Sequence, residues 1–440
     1  MMKKRTIKVV SLGCSKNLVD SERVIAMLRD AGFDAEHSEG GMQTGNPDIV
    51  VVNTCGFIGD AKEESIDEIM TQIAAKTRGD IRELYVMGCL SERYRAELSA
   101  ELPEVDRFYG KYDWTGLASD LARVHPGAAA YDRVLATGPH HAYIKIAEGC
   151  NRFCAFCAIP LITGRLHSRL MPEIVEEVRM LVGRGIKEFN IIAQDLSDYG
   201  VDLEEGKRLL PKLIEAIADV EGVEWIRLHY AYPASFPMEV LDVMASRPNV
   251  CKYLDIALQH SSDRILDRMH RNISAAETDK LLAEMRRRVP DIHLRTTLMV
   301  GFPGETEEDF ENLMEFTRRH RFERMGAFAY CEEEDTFAAR NYADDVPADV
   351  KQRRLDRLMA LQEEISQEIQ SEKVGKILRV IVDREEDDFY VGRTQWDSPE
   401  VDPEVMIEKT RKLVPGEFID VRILQALPFE LIGRESTQTE

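Results

Sequence analysis

A chain of 440 residues is long enough for about three domains and for a sizeable core, which excludes a small disulfide-stapled scaffold. Hydrophobic residues at 44% and charged residues at 31%, with no low-complexity tract, predict a chain that folds throughout. With 57 Lys and Arg against 79 Asp and Glu the formal net charge is −22, which disfavours nucleic-acid binding as the main mode and favours a basic partner.

The start carries Lys3, Lys4 and Arg5 and then only a short apolar stretch, too short for a signal peptide or a membrane span, so a cytoplasmic protein without a membrane is expected. In that reducing compartment the eight cysteines point to metal ligation, catalysis or burial rather than to disulfides. Strand-like runs at 7–10, 48–52 and 83–87 alternate with helical patterns, predicting an open parallel α/β domain over residues 1–137. Residues 107–141 show no clear periodicity, and the boundary is placed near Gly138-Pro139. Six further strand candidates, at 142–146, 188–192, 225–229, 253–258, 293–300 and 326–330, are separated by helix-length stretches and predict a partial (β/α)6 barrel over 138–346. The apolar steps of three and four at 172–182 fit a helix on its outside. Residues 347–374 carry Leu355, Leu358, Leu361, Ile365 and Ile369 at helical spacing and read as a connecting helix. Short strands at 377–382, 389–392 and 418–424, with turns at 397–399 and 415–416, suit a small β-barrel over 375–440.

The strongest chemical signal directly follows the first barrel strand: Cys150, Cys154 and Cys157 in C-x3-C-x2-C spacing, on a loop that also holds Gly149 and Asn151. Three thiolates can grip a [4Fe–4S] cube and leave one iron open to an exogenous molecule, whereas a closed electron-transfer cluster normally takes four. Structural zinc is the competing reading, but it wants four ligands in paired spacing and no second pair lies close by. The end of a barrel strand is also where barrel chemistry sits. This loop, with Phe156 before its last cysteine, resembles that of the radical S-adenosylmethionine superfamily. The resemblance implies that the open iron chelates S-adenosylmethionine, whose sulfonium is cleaved reductively to methionine and a 5′-deoxyadenosyl radical, while the protein orients the cofactor and excludes water.

Further along, Gly301 and Gly304 lie in a strand-to-helix turn, and Thr306 with Asp309 forms a capping-box pattern that opens the next helix. Such glycines either let backbone approach a ligand or serve turn geometry; together with the cysteine loop, cofactor contact is favoured. Gln194 and Asp195, then Gln259 and His260, fall at predicted strand ends on the same rim. His260 equally suits a satisfied half-buried histidine and is not expected to act as an acid or base.

In the first domain Cys14, Cys55 and Cys89 each sit just past a predicted strand. The carboxyl ends of an open parallel sheet share one edge, so three thiols distant in sequence converge there and could hold a second cluster with one open iron. Burial as small hydrophobes is the alternative, and it is the expectation for Cys251 and Cys331.

Two three-cysteine groups and a small C-terminal β-barrel together resemble the methylthiotransferase family: an auxiliary-cluster domain, a radical S-adenosylmethionine barrel and a TRAM domain. The stretches Ser11 to Glu22, Val51 to Ile58, Ala61 to Ser65, Ile192 to Asp195 and Asp397 to Asp402 are similar to the branch acting on ribosomal protein uS12. The resemblance implies insertion of a methylthio group at the β-carbon of a uS12 aspartate. It further implies two [4Fe–4S] clusters as cofactors, with S-adenosylmethionine as both radical source and methyl donor. On the same resemblance Cys150, Cys154 and Cys157 are expected to hold the radical cluster, Cys14, Cys55 and Cys89 the sulfur-donating one, and a flavodoxin or ferredoxin to supply electrons. Gly164 to Arg169 and Cys331 to Thr336 depart from the usual pattern, the latter with a cysteine and an Asp where Ser and Gly are usual; neither stretch includes a cluster ligand. Residues 375–440 hold nine Lys and Arg against fifteen Asp and Glu, a net −6, with an acidic run at 385–388. That balance favours a basic protein over tRNA, since phosphate contacts require basic surface; the run itself is equally a solvated loop. The same chemistry on a tRNA adenosine and a non-catalytic electron-transfer protein are the alternatives.

Overall fold

β1 (Thr6–Ser11), β2 (Asp34–Ser38), β3 (Ile49–Thr54), β4 (Glu83–Gly88) and β5 (Arg107–Phe108) form a parallel sheet in the order β2-β1-β3-β4-β5. In this computed structural model the described residues are 4–38, 40–41, 45–122, 132–204 and 206–436; Lys3 and the centre of the irregular stretch 107–141 lie outside them. β3 is buried along its whole length, as a central parallel strand covered on both faces must be, and its sequence Ile-Val-Val-Val-Asn-Thr is apolar without alternation. The sequence reading missed β2 and β5. β2 is an edge strand reading Asp-Ala-Glu-His-Ser with only Ala35 buried, and β5 is two residues long, so neither carries a hydrophobic pattern.

In the central region β6 (His141–Lys145) leads through the short antiparallel pair β7 (Ala147–Glu148) and β8 (His167–Ser168) to β9 (Glu188–Ile192), β10 (Trp225–Ala231), β11 (Val250–Ile256), β12 (His293–Val300) and β13 (Arg324–Ala329). Apart from β7 and β8 these form one parallel sheet in chain order, from β6 at one edge to β13 at the other, which is a partial (β/α)6 barrel. The helix Met171–Gly183 packs Ile174, Val178 and Leu181 onto its outside. Strand limits shift by up to three residues from expectation; Ala257 and Leu258 fall past β11.

β14 (Ile377–Glu385), β15 (Phe389–Thr394), β16 (Glu404–Glu408), β17 (Phe418–Ala426) and β18 (Glu430–Glu435) close a five-stranded barrel in the order β14-β15-β16-β18-β17. β16 and β18 were not recognised from sequence. The helix Ala348–Ser371 does more than connect: its Leu358 joins the core of the central barrel.

The C-terminal barrel docks on residues in the first half of the central strands. Glu188 accepts from Arg227 at 3.1 Å and from Arg393 at 2.7 Å; Arg324 donates to Asp397 and Arg295 to Asp402, each at 2.5 Å. The opposite, carboxyl ends of those strands are thereby left for the site. Contrary to the expectation from net charge alone, Asp383, Asp397 and Asp402 are paired with Arg393, Arg324 and Arg295, so part of the domain's acidity is internal and does not attract a partner.

Candidate active site

The β7–β8 pair sets Glu148 opposite His167, so the cysteine loop leaves and rejoins the barrel rim at one point. Its backbone is held independently of the thiols: Cys150 N donates to Gly164 O at 3.2 Å, Cys157 N to Cys154 O at 3.0 Å and Ala155 N to Met269 O at 2.9 Å. Cys154 Sγ accepts from Arg271 Nη1 at 3.3 Å, and Cys150 Sγ from Arg152 N at 3.4 Å. Burial pushes the Cys150 thiol up to about 12 and raises that of Cys157 as well. Thiols raised like those of Cys150 and Cys157 ionise readily against a multivalent cation, which is the chemistry of a metal or iron–sulfur site.

The second group forms where β1, β3 and β4 end. Gly13 has φ +84°, and a Cβ there would lie 2.7 Å from Cys55 Cβ and 2.8 Å from its Sγ, so glycine is what lets Cys55 lie against the residue before Cys14. Buried Asn17 donates to Leu12 O at 3.1 Å and to Thr54 O at 2.9 Å, and its Oδ1 accepts from Cys89 Sγ at 3.6 Å. Ser65 Oγ caps Cys55 by bonding its N and its O, each at 3.0 Å. Burial pushes Cys89 up to about 12, with Cys14 and Cys55 adding to it against Lys111; burial and Cys14 also raise Cys55. On Cys14, desolvation is outweighed by Lys16, the Asn17 N–H and Lys111 together, and the thiol is lowered. The thiols therefore act on one another electrostatically although 41 and 34 residues separate them in sequence.

The two groups face the same domain boundary. Cys89 and Phe57 pack with Ala158 and Ile162, on the turn and helix directly after Cys157. Tyr112 OH donates to Thr163 O at 3.1 Å across that boundary.

Phe156 meets Phe302 edge-on at 6.4 Å. Gln194 Nε2 donates to Glu148 Oε2 at 3.0 Å while its Oε1 is buried without a partner. Gln259 takes φ +72°, is fixed by Gln259 N to Thr297 O at 2.8 Å, and likewise leaves Oε1 buried and unpartnered. Asp195 accepts from Arg152 at 2.6 Å. His260 is fully buried rather than half-buried, with Nδ1 accepting from Ser262 N at 3.0 Å and Nε2 unpartnered 3.5 Å from Glu305. At Gly301 the space a side chain would need is filled by Lys351, and at Gly304 by Arg268, so both glycines already have a reason within the protein. Cys251 is buried as expected; Cys331 is exposed, because it lies on the segment leaving β13 toward the N-terminal domain.

Proteins named ribosomal protein uS12 methylthiotransferase RimO match this chain over nearly its whole length. That of Parabacteroides distasonis is 57% identical over 433 residues, covering 98% of this chain and 99% of its own, and that of Bacteroides fragilis is 55% identical with the same coverage. The chain belongs to the RimO family. Within this RimO-family chain, residues 6–110 match an uncharacterized protein family, UPF0004, residues 144–317 the radical SAM superfamily and residues 374–435 the TRAM domain. Among solved structures, TsrM, a radical S-adenosylmethionine methyltransferase from Kitasatospora setae, superposes with a TM-score of 0.55 at 15% identity, over 74% of this chain and 72% of that one, which is a likeness of fold.

Sequence reasoning missed Arg152, Arg271 and Tyr232, which crowd the cysteine loop: the two guanidinium carbons lie 4.3 and 4.1 Å from the centre of the Tyr232 ring. It also missed the polar residues Asn190, His229, Asp255 and Arg295 on the central strands. Their signal was present, as polar residues two apart in otherwise apolar strands (Glu188 and Asn190, Arg227 and His229), which is the alternation of a barrel with a polar interior.

Proposed function

We propose that this chain adds a methylthio group to the β-carbon of an aspartate of ribosomal protein uS12 by radical S-adenosylmethionine chemistry. The observation that carries the reading is the packing of Cys89 against the turn and helix directly after Cys157, in a chain matching uS12 methylthiotransferases over 98% of its length. Membership of the radical SAM superfamily implies a [4Fe–4S] cluster and S-adenosylmethionine. We assign that cluster to Cys150, Cys154 and Cys157, the S-adenosylmethionine contacts to Phe156, Gln194, Gln259, Gly301 and Gly304, and a second [4Fe–4S] cluster to Cys14, Cys55 and Cys89. The division 1–137, 138–346, 347–374 and 375–440 goes with this assignment.

The residues present fit these groups. Each thiol set offers three soft donors. The buried, unpartnered oxygens of Gln194 and Gln259, together with Tyr330 OH and Ser261 Oγ, line strand exits where a ligand bearing ammonium and hydroxyl groups would satisfy them. When bound, the groups supply reductive cleavage of the sulfonium, hydrogen abstraction from carbon and a sulfur atom for insertion. The protein's share is positional. The loop backbone holds its thiols before any ligand arrives, Arg271 keeps a positive charge on Cys154, and the Phe156–Phe302 contact shields one flank from water. An unactivated C–H bond offers no acidic proton, so no acid–base pair is required of the chain. The electron donor is taken to be a flavodoxin or ferredoxin. Among the described residues no helix is long and apolar enough to cross a membrane; a cytoplasmic location goes with the proposed ribosomal substrate.

The test is anaerobic incubation of the reconstituted enzyme with S-adenosylmethionine, reductant and either uS12 or tRNA, read by mass spectrometry of peptides and nucleosides. The reading requires a methylthio mass shift on a uS12 aspartate; an unmodified uS12 beside a modified tRNA overturns it.

A further inference from the structure

The segment after β13 reaches out of the barrel to the N-terminal domain. Glu333, only 3% exposed, accepts through Oε2 from Lys62 Nζ at 2.8 Å and from Arg93 Nη1 at 2.9 Å. Arg93 also donates to Glu334 O and, at 3.4 Å, to Gly56 O, and Tyr94 OH donates to Glu334 Oε2 at 3.2 Å. Lys62 stands on the helix Gly59–Arg78 that follows Cys55, and Arg93 on the helix Cys89–Glu101 that Cys89 opens. One buried carboxylate of the barrel thus holds both the helix that follows Cys55 and the helix that Cys89 opens. At the other edge of the open sheet Asp20 is tied to Lys145, the last residue of β6. The N-terminal domain therefore spans the barrel mouth from its first strand to its last, and Glu333 is its tie at the β13 edge.

Without Glu333, Lys62 and Arg93 would face each other at that edge with their shared counter-charge gone, and the domain would stay anchored through the β6 edge. We propose that Glu333 is a positioning residue that fixes Cys55 and Cys89 over the barrel and thereby sets the register between the sulfur-donating and radical-generating centres. The proposal rests on the reading that Cys14, Cys55 and Cys89 hold the second cluster. It needs no change at either triad, only a displacement between them, and displacements of about 1 Å between reacting groups cost about 100-fold in rate.

The test compares the full chain with Glu333→Gln and, as a second variant on the other domain, Lys62→Gln. Hydrogen–deuterium exchange on the metal-free proteins should show faster exchange at residues 55–64 and 89–96, with the helix Ser15–Asp30 and the central strands unchanged. In the reconstituted enzymes iron content and 5′-deoxyadenosine formation should stay within about two-fold, while methylthiolated uS12 formed per 5′-deoxyadenosine falls about ten-fold or more. A purely structural role would lower both products together and so would overturn the proposal, as would unchanged exchange at 55–64 and 89–96 or an unchanged product ratio in both variants. Failure of the underlying reading shows separately, as about four rather than about eight irons in the unaltered protein; the exchange comparison, made without metal, still stands.

Discussion

Lys145 and Asp20 form a buried ion pair between the last residue of β6 and the helix Ser15–Asp30, and Asp20 also accepts from Lys111 Nζ at 3.2 Å. Lys145 reaches Glu148 as well, two residues before Cys150, so one short network joins the N-terminal domain to the base of the cysteine loop. Asp20→Asn takes the paired carboxylate from buried Lys111 and leaves Lys145 with Glu148 alone, and should destabilise the protein by about 3–5 kcal/mol. Denaturant unfolding followed by far-UV circular dichroism measures it, and a loss under about 1 kcal/mol would mean that water reaches this network.

Replacing Cys14, Cys55 and Cys89 together by Ala should lower iron from about eight to about four atoms per reconstituted chain. 5′-Deoxyadenosine formation should persist and methylthio transfer should vanish. Replacing Cys150, Cys154 and Cys157 should abolish both products. Iron analysis and chromatography of the nucleoside decide it, and retention of all the iron in the first variant would remove Cys14, Cys55 and Cys89 as ligands.

Gly13→Ala adds a Cβ within 3 Å of Cys55 at a positive φ, whereas Gly32→Ala has a similar φ of +94° with nothing within 4 Å of the new atom. Both should lose about 1–2 kcal/mol to backbone strain. Only the first should also lose iron preferentially, toward about four atoms per chain. Equal iron in the two variants would show that the Cys55 position tolerates displacement.

Glu177, on the helix Met171–Gly183, is buried, yet Arg133, Arg169 and Arg23 outweigh that burial and hold its carboxyl at about 2. A folded value below the ordinary 4.5 means stability that is present in full above about 4.5 and lost as pH falls through about 2. Glu177→Gln should therefore cost about 3 kcal/mol near neutrality. The gap from the unaltered protein should close on acidification, as read in urea unfolding midpoints between pH 7 and about 2.5. A gap that does not change with pH would show the loss to be packing rather than charge.

Local pattern made much of this architecture readable. β9 and β12 were delimited to the residue because Gly185 precedes the one and Pro290 and Gly301 bracket the other, while β2 and β5 escaped because an exposed edge strand and a two-residue strand carry little periodicity. β16, Glu-Val-Met-Ile-Glu, and β18, Glu-Leu-Ile-Gly-Arg-Glu, escaped because each holds only a short apolar core between charged residues. The capping box of Thr306 and Asp309 formed as expected, since its partners are only three residues apart.

By itself the amino-acid sequence determined the order of the three domains and the loop bearing Cys150, Cys154 and Cys157, because spacing along the chain and helix or strand periodicity are local and survive without knowledge of neighbours. It also put Cys14, Cys55 and Cys89 at strand ends. What only the tertiary structure decided are contacts between distant residues: Glu333 joining Lys62 to Arg93, Asp397 and Asp402 turned inward onto Arg324 and Arg295, Lys351 filling the space beside Gly301, and Cys331 left open to solvent. The physical reason is that a charge reads the same in sequence whether it faces water or a buried partner, and only packing brings that partner within reach.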